Sequence, residues 1–200
     1  FDGAGNVSNV RLEIPITVNR KEAVVLPFDD ISQNDWFAKE VRYVYEKKLM
    51  TGLDETTFAP YGILSRAQFA VILYRMAGSP SVVFDEKRFP DVEEGWYSDA
   101  VIWANDQEII NGYTHNGCFG PADSITREQM ATMMYRYAEK MNYDISASAD
   151  FSGFEDSYKV SEFAGKAMRW AVGSSIITGK YNGTILDPQG EASRAECAII

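Results

Sequence analysis

Arg66, Arg127 and Arg194 each follow a Ser or Thr and stand two residues before a Gln or Glu: Ser65-Arg66-Ala67-Gln68, Thr126-Arg127-Glu128-Gln129 and Ser193-Arg194-Ala195-Glu196. The outer residues of each quartet form a capping box, in which each side chain satisfies a backbone N–H that a helix start leaves unpaired. The cap does not explain the Arg. A helix start carries partial positive charge and favours Asp or Glu, by a few tenths to about 1 kcal/mol. Three arginines set against that preference need partners. The candidates are Asp30, Asp91 or Asp156, a carbonyl of the preceding loop, or an external anion held by guanidinium and helix amides together.

Each Arg lies six residues after a Pro (Pro60, Pro121, Pro188), which itself follows Phe58, Phe119 or Leu186 by two. Further upstream come Gly52, Gly112 and Gly179, then Tyr43, Trp103 and Trp170, then Trp36, Trp96 and Phe163. Each copy opens with Phe28-Asp29-Asp30, Phe89-Pro90-Asp91 or Phe154-Glu155-Asp156. The chain is therefore a triplicated module over residues 28–200, with repeats expected at 28–80, 81–145 and 146–200.

Two helices per copy must position these groups. Trp36 to Leu49 carries Phe37, Val41, Val44, Tyr45 and Leu49 at three- and four-residue spacing, one apolar face that Gly52 is expected to stop. A packed loop follows to Leu64, and Phe69, Ile72, Leu73 and Met76 restore the helical period. Spacing turns Tyr43, Trp103 and Trp170 inward. Trp36 and Trp96, at helix starts, belong to the core by default, but a Trp beside an Asp and a Gly loop also suits the stacking of a sugar ring. The fold class is mainly α, and no copy can bury its apolar stripes alone.

Residues 1–27 differ in kind. Val10, Leu12, Ile14, Ile16 and Val18 alternate with polar positions, which predicts a strand, the end of an upstream module to which the repeats are covalently continuous. The third repeat is short at its C-terminal end. The net charge of −10 falls entirely within the repeats, because residues 1–27 hold three acidic and three basic side chains. Nucleic acid is excluded as a partner on that ground, and no run is long enough for membrane insertion as a helix.

Catalytic chemistry has little material. His115 is the sole histidine and lies in a Gly-Asn loop; Cys118 in a loop and Cys197 at a core position read as two free thiols. Asp29-Asp30 and Asp54-Glu55 lack EF-hand spacing. No catalytic residue, metal or cofactor is expected.

An Asp near an aromatic, a first helix, a Gly loop ending in Phe-x-Pro and a second helix opened by LSRAQ, ITREQ or ASRAE together resemble the S-layer homology (SLH) domain, normally three tandem copies. The resemblance spans residues 28–200. It implies a pseudo-threefold spindle at the bacterial cell surface, in the wall or S-layer, anchoring the protein non-covalently through secondary cell-wall polysaccharide that carries pyruvylated N-acetylmannosamine. It further implies that Arg66, Arg127 and Arg194 meet the pyruvate carboxylate, that Asp30, Asp91, Asp156, Gly52, Gly112 and Gly179 meet sugar hydroxyls, and that Trp36 and Trp96 stack on rings. Lys180 adds charge to one groove. Phe163, Leu186 and the polar Ser157–Ser161 segment depart from the pattern in repeat three, so two good grooves are expected rather than three. Gln68 and Gln129 replace the family Glu. The alternatives are peptidoglycan or another wall glycan, a glycan-processing enzyme, and self-assembly into a lattice.

Overall fold

The computed structural model describes residues 25–83, 85 and 87–200. The predicted strand over residues 10–18 lies outside them. The first helices of the three copies are α1 (Ala38–Glu46), α3 (Ser98–Asp106) and α5 (Gly165–Gly173); the second helices are α2 (Arg66–Met76), α4 (Arg127–Lys140) and α6 (Arg194–Ile199). The polar segment of the third copy holds one short 3₁₀ turn, Ser157–Lys159, and a second, Glu162–Ala164, follows it. Among the described residues β-pairing is confined to isolated bridges.

All three second helices begin where the quartets predict. The side chains of Ser65, Thr126 and Ser193 accept from the backbone N–H groups of Gln68, Gln129 and Glu196, and the reciprocal half of each capping box is also made. The first helices are shorter than expected. Gly52 does not stop α1: Lys48 does, in the left-handed region at φ 57°, with Lys48 N–H donating to the Tyr45 carbonyl and Leu49 N–H to that of Val44. Glu108 and Ser175 repeat this Schellman geometry at φ 61° and 57°. The stop was hidden because the left-handed position is not held by Gly. Replacing Lys48 by Gly is expected to raise stability by about 0.5–1 kcal/mol, the relieved strain exceeding the added freedom of the unfolded chain. Chemical denaturation of Lys48→Gly checks this.

Gly52, Gly112 and Gly179 instead let the loop lie against the Phe that opens each copy. A Cβ on Gly112 would stand 2.9 Å from the Phe89 ring, and one on Gly179 2.6 Å from the Phe154 ring.

Packing runs in a ring. α3 packs on α2, α5 on α4, and α1 on α6, so every first helix rests on the second helix of the copy before it, and the last copy closes on the first. At the axis the backbone does the same: Ile125 N–H donates to Leu64 O at 2.9 Å, Ala192 N–H to Ile125 O at 3.1 Å and Leu64 N–H to Ala192 O at 2.9 Å. Phe37, Phe58, Leu64, Phe119, Ile125 and Met130 fill the main core, while Met168, Trp170, Ile177 and Leu186 fill a second cluster under α4 and α5. Trp103 and Trp170 are buried as expected; Tyr43 is not, being 57% exposed. It shares an open cavity with Cys197 and Ala198 of α6, a helix of six residues, whereas α2 and α4, which pack on Trp103 and Trp170, have eleven and fourteen.

Candidate functional site

The arginines solve their electrostatic problem by reaching into the next copy. Arg66 Nε donates to Phe119 O at 2.9 Å, Arg127 Nε to Leu186 O at 3.1 Å and Arg194 Nε to Phe58 O at 2.7 Å. The partner is thus a loop carbonyl, but of a neighbouring copy and not of the loop preceding each Arg. All three residues are buried, and burial lowers each guanidinium pKa from its ordinary value.

The helix amides are taken as well. Arg66 N–H donates to Asp123 O and Ala67 N–H to Pro121 O; Arg127 and Glu128 repeat this on Gly190 and Pro188, and Arg194 and Ala195 on Gly62 and Pro60. With the third amide held by the capping hydroxyl, these helix starts present no free N–H to an anion. An anion would meet the guanidinium groups alone, which corrects the expectation of a joint site.

Asp30, Asp91 and Asp156 brace the Phe-x-Pro segment of their own copies. The Asp30 carboxylate accepts from Phe58 N–H and Ala59 N–H at 2.9 and 2.6 Å, Asp91 from Phe119 and Gly120 at 2.8 and 2.7 Å, and Asp156 from Leu186 and Asp187 at 2.7 and 2.8 Å. None is the ion-pair partner of an Arg. Asp holds the loop, and the loop carbonyl then receives the Arg of the preceding copy.

Among the described residues, two grooves each draw on all three copies. The first, of about 260 Å³, is lined by Gly52 and Leu53, by Gln68 and Arg75 of α2, by Trp96 of the second copy and by Arg194 of the third. The second, of about 400 Å³, has the matching set: Gly112, Tyr113, Gln129, Arg136, Phe163 and Arg66. Trp96 and Phe163 are 67% and 58% exposed, so these aromatics present faces rather than fill the core. Arg66 lies 4.7 Å from the Tyr113 ring, and its terminal amino groups make no hydrogen bond among the described residues. Each groove therefore sets two arginines, a carboxamide and an aromatic face around a close-packed glycine, an arrangement suited to a carboxylate on a sugar ring.

The third set is Arg127, Thr178, Gly179, Lys180 and Glu196, with Trp36, 60% exposed, ahead of α1. Arg127 donates to Thr178 O at 2.9 Å and stands 3.6 Å from Glu196. Lys180 pairs with Asp187 at 2.8 Å and with Glu196 at 3.6 Å. Burial pushes the Glu196 carboxyl up, but the Ser193 hydrogen bonds, Lys180 and Arg127 outweigh it and hold the pKa below the usual carboxylate value.

Sequence reasoning missed Arg75 and Arg136. The signal was present, since each lies nine residues after the Arg of its own quartet. Cys118 and Cys197 are free, and His115 stacks on Tyr113 at 5.6 Å in an exposed loop.

The model of the S-layer homology domain matches residues 27–70, 88–131 and 153–198. An endoglucanase of Bacillus sp. (strain KSM-635) is 30% identical over 91% of this chain and 19% of its own length. An S-layer protein of Bacillus thuringiensis subsp. finitimus is 29% identical over 58% of the chain and 14% of its own length. A cellulosome-anchoring protein of Acetivibrio thermocellus is 28% identical over 58% of the chain and 26% of its own length. The chain spans a small part of each relative.

Proposed function

The chain belongs to the S-layer homology domain family, and on that premise we propose that it is a non-catalytic cell-surface anchor whose inter-copy grooves bind an anionic wall polysaccharide. The ligand we infer is a glycan bearing a pyruvate ketal of the N-acetylmannosamine type. The observation that carries this reading is the repeated groove, in which two arginines face an exposed aromatic ring beside a glycine. A ketal carboxylate supplies the anion for Arg194 and Arg75, or for Arg66 and Arg136, while the sugar face lies on Trp96 or Phe163. The overall charge of −10 makes such local cations necessary, because the surface as a whole repels anions.

Two weak grooves on one polymer bind by avidity. The relatives support the anchoring part: enzymes, S-layer proteins and an anchoring protein share this segment while differing elsewhere, as expected of a module that attaches other domains to a surface.

The test is calorimetric titration with purified wall polysaccharide, with and without its pyruvate groups. Removing pyruvate is expected to lower affinity at least tenfold, as are Trp96→Ala and Arg75→Ala, whose side chains lie at the groove. These variants separate binding from folding better than Arg194→Ala, which removes a buried brace. Equal affinity for depyruvylated polymer would falsify the carboxylate reading.

A further inference from the structure

The three quartet arginines are not held alike. Arg127 and Arg194 each spend a second donor, Nη2, on the carbonyl of the residue before the loop glycine, Thr178 O at 2.9 Å and Thr51 O at 2.6 Å. Asn111 is the matching residue before Gly112, and among the described residues its carbonyl receives no hydrogen bond from Arg66. Aromatic rings hold Arg66 instead. Its guanidinium carbon lies 4.9 Å from the Phe119 ring centroid and 4.7 Å from that of Tyr113. Arg194 has the first kind of contact, with Phe58 at 4.5 Å, but the position of Tyr113 is Leu53 in the first copy and Lys180 in the third.

Tyr113 is itself fixed in place. Its hydroxyl donates to Asp123 Oδ2 at 2.8 Å, and burial, followed by this bond, raises its pKa, so the phenol keeps the proton it donates. Asp123 stands where the other copies have Gly62 and Gly190. Gly120 leaves the room: a Cβ there would lie 2.7 Å from the Tyr113 ring. The left-handed backbone is not what requires this glycine, since Ala59 and Asp187 hold the matching positions at φ 57° and 53°. Tyr113, Gly120 and Asp123 are thus three departures of the second copy that build one arrangement.

We propose that Tyr113 is a positioning residue that makes the second groove the tighter of the two anion sites, by stacking on Arg66 so that its terminal amino groups stay available to the ligand. The inference rests on the reading of the grooves as glycan sites. A carboxylate is gripped best by two parallel N–H donors of one guanidinium. Ring stacking steadies a guanidinium by its face and consumes no N–H, whereas a carbonyl takes one from its edge. In the first groove Arg194 has already committed Nη2 to Thr51; in the second, Arg66 has committed only Nε among the described residues.

Gly52 lines the first groove and Gly112 the second, so their backbone amide resonances report on the two separately. The whole chain would be titrated by NMR with the methyl glycoside of pyruvylated N-acetylmannosamine, a monovalent probe free of avidity. In the native chain Gly112 is expected to follow an affinity about fivefold tighter than Gly52. Tyr113→Leu, which installs the residue found at this place in the first copy, should bring the two curves together without moving that of Gly52. A crystal structure of this variant should show Arg66 hydrogen-bonded to Asn111 O. Tyr113→Phe keeps the ring and should keep the native order.

Native curves that coincide overturn the proposal, as does a Tyr113→Leu chain that retains the gap or a Tyr113→Phe chain that loses it. So does a Tyr113→Leu chain that loses the gap with Arg66 unmoved, which would make Tyr113 a direct contact of the sugar. Each of these outcomes leaves the anchoring reading standing. If neither glycine responds in the native chain, the glycan reading fails and the ranking of the grooves fails with it.

Discussion

Asp156→Ala is expected to destabilise the fold by about 3 kcal/mol, measured by chemical denaturation. The Asp156 carboxylate is 6% exposed and holds the N–H groups of Leu186 and Asp187, which the truncation leaves unpaired. Each buried, unsatisfied amide costs about 1–3 kcal/mol. The loss propagates: the Leu186 carbonyl, oriented by this clamp, is the acceptor for Arg127. Asp156→Asn keeps one acceptor and should lose roughly half as much. Asp91→Ala and Asp30→Ala should lose progressively less, because those carboxylates are half-buried and exposed and water replaces them more readily. Equal losses at all three positions would show that burial does not set the effect.

Arg194→Ala carries the other large expectation, a loss of about 3 kcal/mol. Its guanidinium donates to Phe58 O at 2.7 Å and Thr51 O at 2.6 Å and lies 4.5 Å from the Phe58 ring. Hydrogen bonds from a charged donor contribute about 1.5–3 kcal/mol, and both carbonyls lose their guanidinium partner together. These contacts join residues 136 and 143 positions apart, so the substitution opens the closure of the third copy onto the first. Arg194→Lys should rescue little, since a single ammonium cannot span both acceptors as the planar fork does. A rescued Lys variant would indicate that charge, and not the fork, makes the contact. The same substitution also strips a cation from the first groove, so stability and glycan binding should fall together. Trp96→Ala should reduce binding alone.

The triplication, the mainly helical class and the start of every second helix were legible in the residues, because a capping box is contained within four positions and repeats itself in register. Helix ends were less legible. Lys48, Glu108 and Ser175 occupy left-handed positions that Gly usually marks, and tertiary packing, not local preference, holds them there. The exposure of Tyr43 was equally hidden, since which helix face is covered depends on the neighbouring copy.

For the site, the sequence by itself determined which residues recur: an Arg at each helix start, an Asp at each copy's opening, a Gly in each loop and an aromatic ahead of each first helix. It could not say which copy receives each Arg, because all three loops offer nearly the same acceptor at the same spacing. Only the cyclic packing decided that Arg66 serves the second copy, Arg127 the third and Arg194 the first. The same closure places Trp96 beside Gly52 and Arg194, and Phe163 beside Gly112 and Arg66. Local hydrogen-bonding chemistry is written into short stretches of chain, whereas a groove built from three copies exists only once their apolar helix faces have been buried against one another.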